Sequence, residues 1–490
     1  MRDRRLVVAL GAVVVLIVAA ALFSRFGIHG ALSRDESVYA YGGQQVEDGT
    51  PFYVSIFDQK TPGAAYLAGL AVAIGNTFGV ADIDAIRVAF FVAACLTVVA
   101  VYLLALELWG SVVAALVAAV TFASFRGFAL DALGGPDAKT PGILLAVLAM
   151  LLLVRRRWFW AGLCCALAFL VWQPLLVYLA VGLVVAGRRR LVALGAVVPL
   201  AASVAYFWIT GALGDFLQAA FVFPVEGLYR AHETVGQRVS HIANIVDLYY
   251  HGAVVQFWAG LALLAVLCAV ALWQRRFRDP LVRVILPTLV VIAGFSALDF
   301  QGYPDAYPLL PYAALGVGGA VAYVVRLPVL RPAAVVAALV AVAIAWTEFS
   351  TGRAQATTLM AQQTEAAELQ RLLAPGDTIL ALGDATPLVL TDRTNPSRYI
   401  YLSSGVAAWQ LRDMPDGFNG WMQQIRAANP AVIVLHGWHG KLKQQVGAQL
   451  RARYVPAYVG CWRVFLRPDI ASRAAARGVV LGHHRCAVPV

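Results

Sequence analysis

Charge is what this 490-residue chain has least of. Asp, Glu, Lys and Arg make up 13% of it, about half their share in an ordinary soluble domain. The apolar share is 61% and the mean hydropathy is +0.74, which exclude a single soluble domain and imply many membrane spans. Cysteine is scarce too: there are six, and none has metal-ligand spacing. Cys95, Cys164, Cys165 and Cys268 fall in apolar runs and read as core. Cys461 and Cys486 could pair if their region faces an oxidising space. No GxGxxG or P-loop pattern opens a helix, and no RNA- or DNA-binding motif is present. The net charge of +11 is therefore not read as a nucleic-acid footprint. Its arginines cluster in short loops between apolar runs, the positive-inside pattern of membrane proteins.

A span needs roughly 20 mostly apolar residues. Runs of about that kind occur near 6–23, 85–108, 111–125, 140–154, 191–210, 253–273, 283–298, 308–325 and 332–347. The first follows Arg2, Arg4 and Arg5; a cleaved signal peptide is the alternative, but no small-x-small pattern follows the run. The stretch 158–187 lies between Arg155–Arg157 and Arg188–Arg190, so the chain must go out and return. Trp172-Gln173-Pro174 supplies the turn, because proline disrupts a helix and biases the residue before it. The run 63–79 would invert every later loop if it crossed, so it is read as lying along the membrane surface. The expectation is an α-helical polytopic protein of about 11 transmembrane helices, residues 1–348, with a cytoplasmic N-terminus. Arg275, Arg276, Arg278, Arg283, Arg326 and Arg331 then fall inside. Asp35, Glu36, Glu47, Asp48, Asp58, Asp82, Asp84, Asp131, Asp137, Asp299 and Asp305 fall outside.

After Ser350 the chain is more polar. Short apolar runs at 378–382, 399–402, 431–435, 454–459 and 462–465 read as strands, and 419–428 and 441–453 as helices. The alternation gives a small α/β domain, residues 349–468, on the outer face. Residues 469–490 read as a loosely ordered tail.

The crowding of acids on one side calls for a cause beyond orientation, to which they contribute little. Ser33-Arg34-Asp35-Glu36-Ser37 follows the first span directly. A carboxylate there could deprotonate an acceptor hydroxyl; the alternative, which spacing alone favours because an Asp-Glu pair is a weak motif, is a solvated juxtamembrane turn with a helix N-cap. In Phe57-Asp58-Gln59-Lys60-Thr61-Pro62-Gly63, Lys60 could face a phosphate as a point charge, or simply snorkel at the start of an interfacial helix.

Taken in order, these segments resemble the GT-C glycosyltransferases, in particular the protein O-mannosyltransferase-like family and its aminoarabinose-transferase relatives. The acidic pair after the first span, Gly49-Thr50-Pro51-Phe52 and Asp58-Gln59-Lys60-Thr61-Pro62 carry the resemblance. So do Ala85-Ile86-Arg87-Val88, the 161–174 hairpin, Tyr303-Pro304-Asp305-Ala306-Tyr307-Pro308 and Gly376-Asp377 through Arg398-Tyr399. The resemblance implies an inverting transfer of a sugar from a polyprenyl phosphate to a protein, lipid or glycan. It implies Asp35 as base, Glu36 as the residue that orients that base or the acceptor, Lys60 on the donor phosphate and Asp58 in support. Pro136-Asp137-Ala138-Lys139 matches the second acidic position, which adds Asp137 and Lys139. The late loop adds Asp305 and Tyr307. No cofactor is implied with certainty; a divalent metal is an open alternative. Two departures stand out. The usual Pro-Pro is Thr61-Pro62, and Asp305 stands where a cation is frequent. Arg230, His232, Arg238 or His241 could supply that cation, or belong to a solvated loop. The competing function is a transporter or flippase for a lipid-linked sugar. It would call for ionisable residues in mid-span, and almost none are found there.

Overall fold

The computed structural model describes residues 2–227, 234–298, 300, 302–327, 329, 331–350 and 358–477. Among these, seven helices are long and apolar enough to cross a membrane: Leu6–Phe26, Asp82–Trp109, Arg189–Ile209, Val254–Trp273, Leu281–Leu298, Pro304–Val325 and Arg331–Ser350. Val112–Ala123 and Arg126–Gly134 form a further candidate span, bent by 58°. Lys139–Val154, Trp158–Val171 and Gln173–Val185 are shorter apolar helices. Each of the eleven runs expected from the sequence is thus helical. The count of eleven crossings depends on adding the bent pair and the three short helices to the seven long ones. The protein is a multi-pass membrane protein, and its long helices leave large apolar side chains such as Leu10, Ile17, Leu194 and Val336 exposed along their flanks, where lipid would cover them.

The turn expected at 172–174 is present. Trp172 is extended (φ −155°, ψ 121°) and ends Trp158–Val171, and Gln173–Leu175 starts the return as a 3₁₀ turn. Pro174 has no N–H to give the preceding helix, so the chain breaks where it must reverse. The Gln173 carboxamide donates to the Gln59 and Ala220 carbonyls at 2.7 and 2.9 Å, which fixes the apex against two neighbouring segments.

The C-terminal α/β domain holds a four-stranded sheet of order β1-β2-β4-β3, with β1 Ile379–Leu382, β2 Val432–Leu435, β3 Val455–Val459 and β4 Trp462–Leu466. β1 and β2 are parallel, and β4 is antiparallel to both β2 and β3. Helices Gly417–Ala428 and Lys441–Leu450 occupy the segments read as helical. Two expectations need correction. Residues 399–402 are not a strand, because carbonyls in and just before the segment are engaged elsewhere: Arg398 O accepts from Phe57 N, and Ile400 O from Gly383 N, both at 2.7 Å. The start of the expected tail is helical, Pro468–Ala476. Its Ile470 and Ala474 are buried, and Arg473 pairs with Asp377 at 3.1 Å. Cys461 is disulfide-bonded; Cys486 lies outside the described residues.

Helix Arg34–Glu47 joins the two parts. One side packs on helix Gly63–Phe78 and another on helix Thr386–Thr391 of the C-terminal domain. Gln362 donates to and accepts from the Leu32 backbone at 3.0 and 2.8 Å.

Candidate active site

A cavity of about 620 Å3 opens where these parts meet. Asp35, Lys60, Lys139 and Asp305 line it, Trp172, Phe221 and Phe295 face them, and Tyr401 and Ser404 arrive from the C-terminal domain. Four of the eight residues singled out in the sequence therefore share one cavity.

The two adjacent acids part company because of a capping box. Ser33 Oγ accepts from Glu36 N at 3.3 Å, and Glu36 Oε2 accepts from Ser33 N at 2.7 Å. This satisfies donors that the first helical turn cannot. Successive helical residues point about 100° apart, so with Glu36 turned back on the cap, Asp35 is aimed elsewhere. Its side chain is 67% exposed and reaches the cavity. Glu36 instead presses on Gly134-Gly135: a Cβ at Gly134 would lie 2.3 Å from Glu36 Oε1, so only glycine permits this approach. Burial pushes the Glu36 carboxyl up to about 7, against the opposing pull of its Ser33 bonds and of Arg87, with the Asp137 charge adding to the rise. Arg87 is fully buried and grips the same segment, its Nε donating to Gly134 O at 2.7 Å.

Lys60 belongs to a loop pinned at several points. The Tyr53 hydroxyl donates to Lys60 O at 2.7 Å, and Gln173 holds Gln59 O. Thr61, which replaces the usual first proline, is buried and donates from Oγ1 to Phe169 O at 2.9 Å. The departure from the family pattern thus adds an anchor that proline could not make. Lys60 Nζ lies 5.4 Å from the Tyr39 ring centre and makes no ion pair among the described residues. Burial opposes its charge, but Asp58, Asp35, Tyr401 and Asp305 together hold the ammonium above the usual lysine value. Asp58 does not line the cavity. Burial raises its carboxyl above the usual range, with Lys60 pulling the other way.

The remaining candidates are engaged with other groups of the protein. Asp137 Oδ1 accepts from Lys139 N and Thr140 N at 2.6 and 2.8 Å, capping helix Lys139–Val154. Lys139 Nζ pairs with Asp305 Oδ1 at 2.6 Å, with side-chain exposures of 13% and 11%. Asp305 Oδ2 accepts from Gly302 N at 3.0 Å. The acid that stands where a cation is frequent is therefore neutralised by Lys139. Tyr307 is fully buried and donates to Gly127 O at 2.7 Å, away from the cavity. Arg238 donates to Leu298 O, and the His241 ring meets Phe300 edge-on at 5.7 Å; neither lines the cavity. Arg230, His232 and Asp299 lie outside the described residues. No cluster of three or more His, Cys, Asp or Glu that could hold a metal occurs among the described residues.

Trp172, Tyr401 and Ser404 were not picked as site residues from the sequence. Trp172 was legible only as part of a turn. Tyr401 and Ser404 reach the site across more than half the chain, with no local signal.

No protein-family model and no curated protein matches the chain. Solved structures do. The crystal structure of ArnT from Cupriavidus metallidurans bound to undecaprenyl phosphate superposes with a TM-score of 0.64 at 15% identity, covering 96% of this chain and 99% of ArnT. The apo form of ArnT gives 0.63 at 16% identity over 95% and 99%. The archaeal oligosaccharyltransferase AglB from Archaeoglobus fulgidus, in complex with an inhibitory peptide and a dolichol-phosphate, gives 0.53 at 13% identity over 86% and 69%. The chain therefore shares its fold with ArnT and AglB. Within this fold the cavity holds the exposed Asp35 carboxylate and the Lys60 ammonium, which makes no ion pair among the described residues, beside the closed Lys139–Asp305 pair.

Proposed function

We propose that the chain is an inverting membrane glycosyltransferase that moves a sugar, mannose or a relative, from a polyprenyl phosphate to a protein, lipid or glycan. The reaction takes place on the extracytoplasmic face of the cell membrane, with the N-terminus in the cytoplasm. The observation that carries the reading is the presence, in one cavity, of the exposed Asp35 carboxylate and of the Lys60 ammonium, which makes no ion pair among the described residues. ArnT, of the same fold, has been crystallised with undecaprenyl phosphate.

The chemistry follows from those two groups. An acceptor hydroxyl attacks the anomeric carbon from the face opposite the phosphate. The new carbon–oxygen bond forms as the old one breaks, and its electron pair leaves with the polyprenyl phosphate. Asp35 takes the hydroxyl proton as general base. Lys60 stabilises the charge gathering on the leaving phosphate, an effect that grows where water is displaced. Glu36 keeps the helix start and Gly134 in place, so Asp35 stays aimed at the cavity. Asp58 steadies Lys60, while Lys139, Asp305 and Asp137 hold the opposite rim, within reach of the sugar or phosphate.

The test is to give the purified full-length protein a set of radiolabelled undecaprenyl-phospho-sugars, with a membrane extract as acceptor, and to follow release of undecaprenyl phosphate. The proposal predicts release from at least one donor and none from undecaprenyl-diphospho-sugars lacking a matching monophosphate. Failure to consume any monophosphate donor, with the protein folded, contradicts it.

A further inference from the structure

The C-terminal domain is built around the residue next to Asp35. Parallel strands in open sheets tend to bind ligands at their carboxyl ends. In this domain β1 ends at Leu382, just before Gly383-Asp384, and β2 at Leu435, just before His436-Gly437, and that position is filled by the chain itself. Arg34 Nη1 donates to Ser403 Oγ at 3.0 Å and to Gly437 O. A Cβ at Gly437, where φ is +64°, would lie 2.8 Å from Arg34 Cδ. Three residues on, Ser37 Oγ accepts from Ala385 N and lies 3.2 Å from Asp384 Oδ1. The carboxyl end of the sheet is a seat for the helix that begins with the Asp35 turn.

The seat also delivers a side chain to the cavity. One Arg34 guanidinium touches both Asp35 and Tyr401. Its Nε lies 3.4 Å from Asp35 Oδ1, and its Nη2 donates to the Tyr401 hydroxyl at 3.0 Å. Its carbon lies 4.6 Å from the Tyr401 ring centre. Because the hydroxyl oxygen accepts from Arg34, its own proton is left for another acceptor. The Asp35 carboxylate, touched by the same guanidinium and lining the same cavity, is the acid beside it. The charged and titratable groups around Asp35 are Arg34, Tyr39, Lys60 and Tyr401. Burial, then the Asp35 charge, push the phenol up to about 12, so it stays a proton donor at neutral pH.

We infer that Tyr401 is a positioning residue for the Asp35 carboxylate, and that Arg34 is the clamp holding the two together. The C-terminal domain is then a working part of the active site rather than a separate binding module. The inference rests on Asp35 acting as the base. It adds that the base depends on a phenol from the far end of the chain.

The test uses the full-length protein and a readout that does not need turnover. Infrared difference spectra across a pH titration follow the protonated carboxyl band that disappears in Asp35→Asn. In Tyr401→Phe the charged carboxylate loses a donor, so its midpoint rises by roughly half a pH unit or more. Replacing Tyr401 with 3-fluorotyrosine, a more acidic donor, moves the midpoint down. The acid limb of kcat/KM moves the same way as the midpoint in each variant. In Tyr401→Phe kcat falls about tenfold, with KM within about twofold, as expected for a group acting on the base rather than on binding. Tyr454→Phe, in the same domain but not at the cavity, moves neither. A midpoint that is unmoved, or that moves in the same direction in both variants, overturns the inference. Opposite shifts in a protein that consumes no polyprenyl-phosphate donor sustain the Tyr401–Asp35 contact and overturn the glycosyltransferase reading instead.

Discussion

The segment after the first helix and the segments around Lys139 and Asp305 bring charged groups to the same cavity, but leave them in opposite states. Asp35 is largely exposed, with the neighbouring Arg34 Nε 3.4 Å from its Oδ1, and Lys60 makes no ion pair among the described residues. Across from them, Lys139 and Asp305 neutralise each other at 2.6 Å, Asp137 is committed to a helix start, and Tyr307 to a backbone carbonyl. Groups already satisfied by protein partners lose those partners before they can serve a substrate. The comparison teaches that one rim keeps an exposed acid, touched by Arg34, and an ammonium free to meet a ligand, while the other is closed by its own ion pair.

The strongest way to break that division is at Asp35. Asp35→Asn is expected to lower donor turnover by about 10²–10⁴-fold, the usual worth of a general base, with thermal stability unchanged. Kinetics and a thermal melt on the same preparation check both halves. Next comes Lys60→Ala, expected to weaken use of the polyprenyl-phosphate donor by about 10- to 100-fold, since a bond to a charged group contributes about 1.5–3 kcal/mol. Lys60→Arg keeps the charge and should lose less; equal, wild-type rates in both variants would remove Lys60 from the site. On the opposite rim the effect should fall on stability. Asp305→Asn leaves the Lys139 ammonium without its counter-charge and should cost about 1–3 kcal/mol, read as a lower melting temperature in detergent. If turnover falls tenfold while the melt is unchanged, the closed rim is part of the chemistry.

The smallest effect concerns Glu36. Its carboxyl is raised from 4.5 to about 7 in the folded protein, so the folded state holds its proton more tightly than the unfolded chain. The stability it lends is fully present below pH 4.5 and is lost as pH rises through about 7. Glu36→Gln, which can still close the capping box, should flatten that part of the melting-temperature profile. An unchanged profile would show that Glu36 is not the group being titrated. Orientation can be checked separately. Cysteines placed at Arg188 and Glu368 should label from the cytoplasmic and outer sides respectively, and the reverse pattern would put the cavity on the wrong face.

Much of the membrane part could be read from the sequence, because a span must satisfy its own backbone and so writes itself as a long apolar run. The Trp172–Pro174 reversal was legible for a similarly local reason, the missing N–H of Pro174. Asp35 and Lys60 were legible from their places beside apolar runs and from the order of the motifs. The split between Asp35 and Glu36 had a local signature as well, Ser33 three residues before Glu36. What could not be read were pairings across the chain. Lys139 and Asp305 are 166 positions apart, and Arg34 and Tyr401 are 367 apart. Residues 399–402 misled for a related reason. Their apolar run has a strand's pattern, but the Arg398 and Ile400 carbonyls just before Tyr401 are taken by Phe57 and Gly383, so tertiary contacts overrode local preference.

The central claim, that the free rim holds the base and that Asp35 rather than its neighbour is that base, is tested most directly by one comparison. Turnover of a single undecaprenyl-phospho-sugar is measured for wild type, Asp35→Asn and Glu36→Gln, with equilibrium binding of undecaprenyl phosphate as control. The account predicts that Asp35→Asn is inactive, that Glu36→Gln keeps most of its rate, and that all three bind undecaprenyl phosphate alike. An inactive Glu36→Gln beside a near-normal Asp35→Asn, or full activity in both, would contradict it.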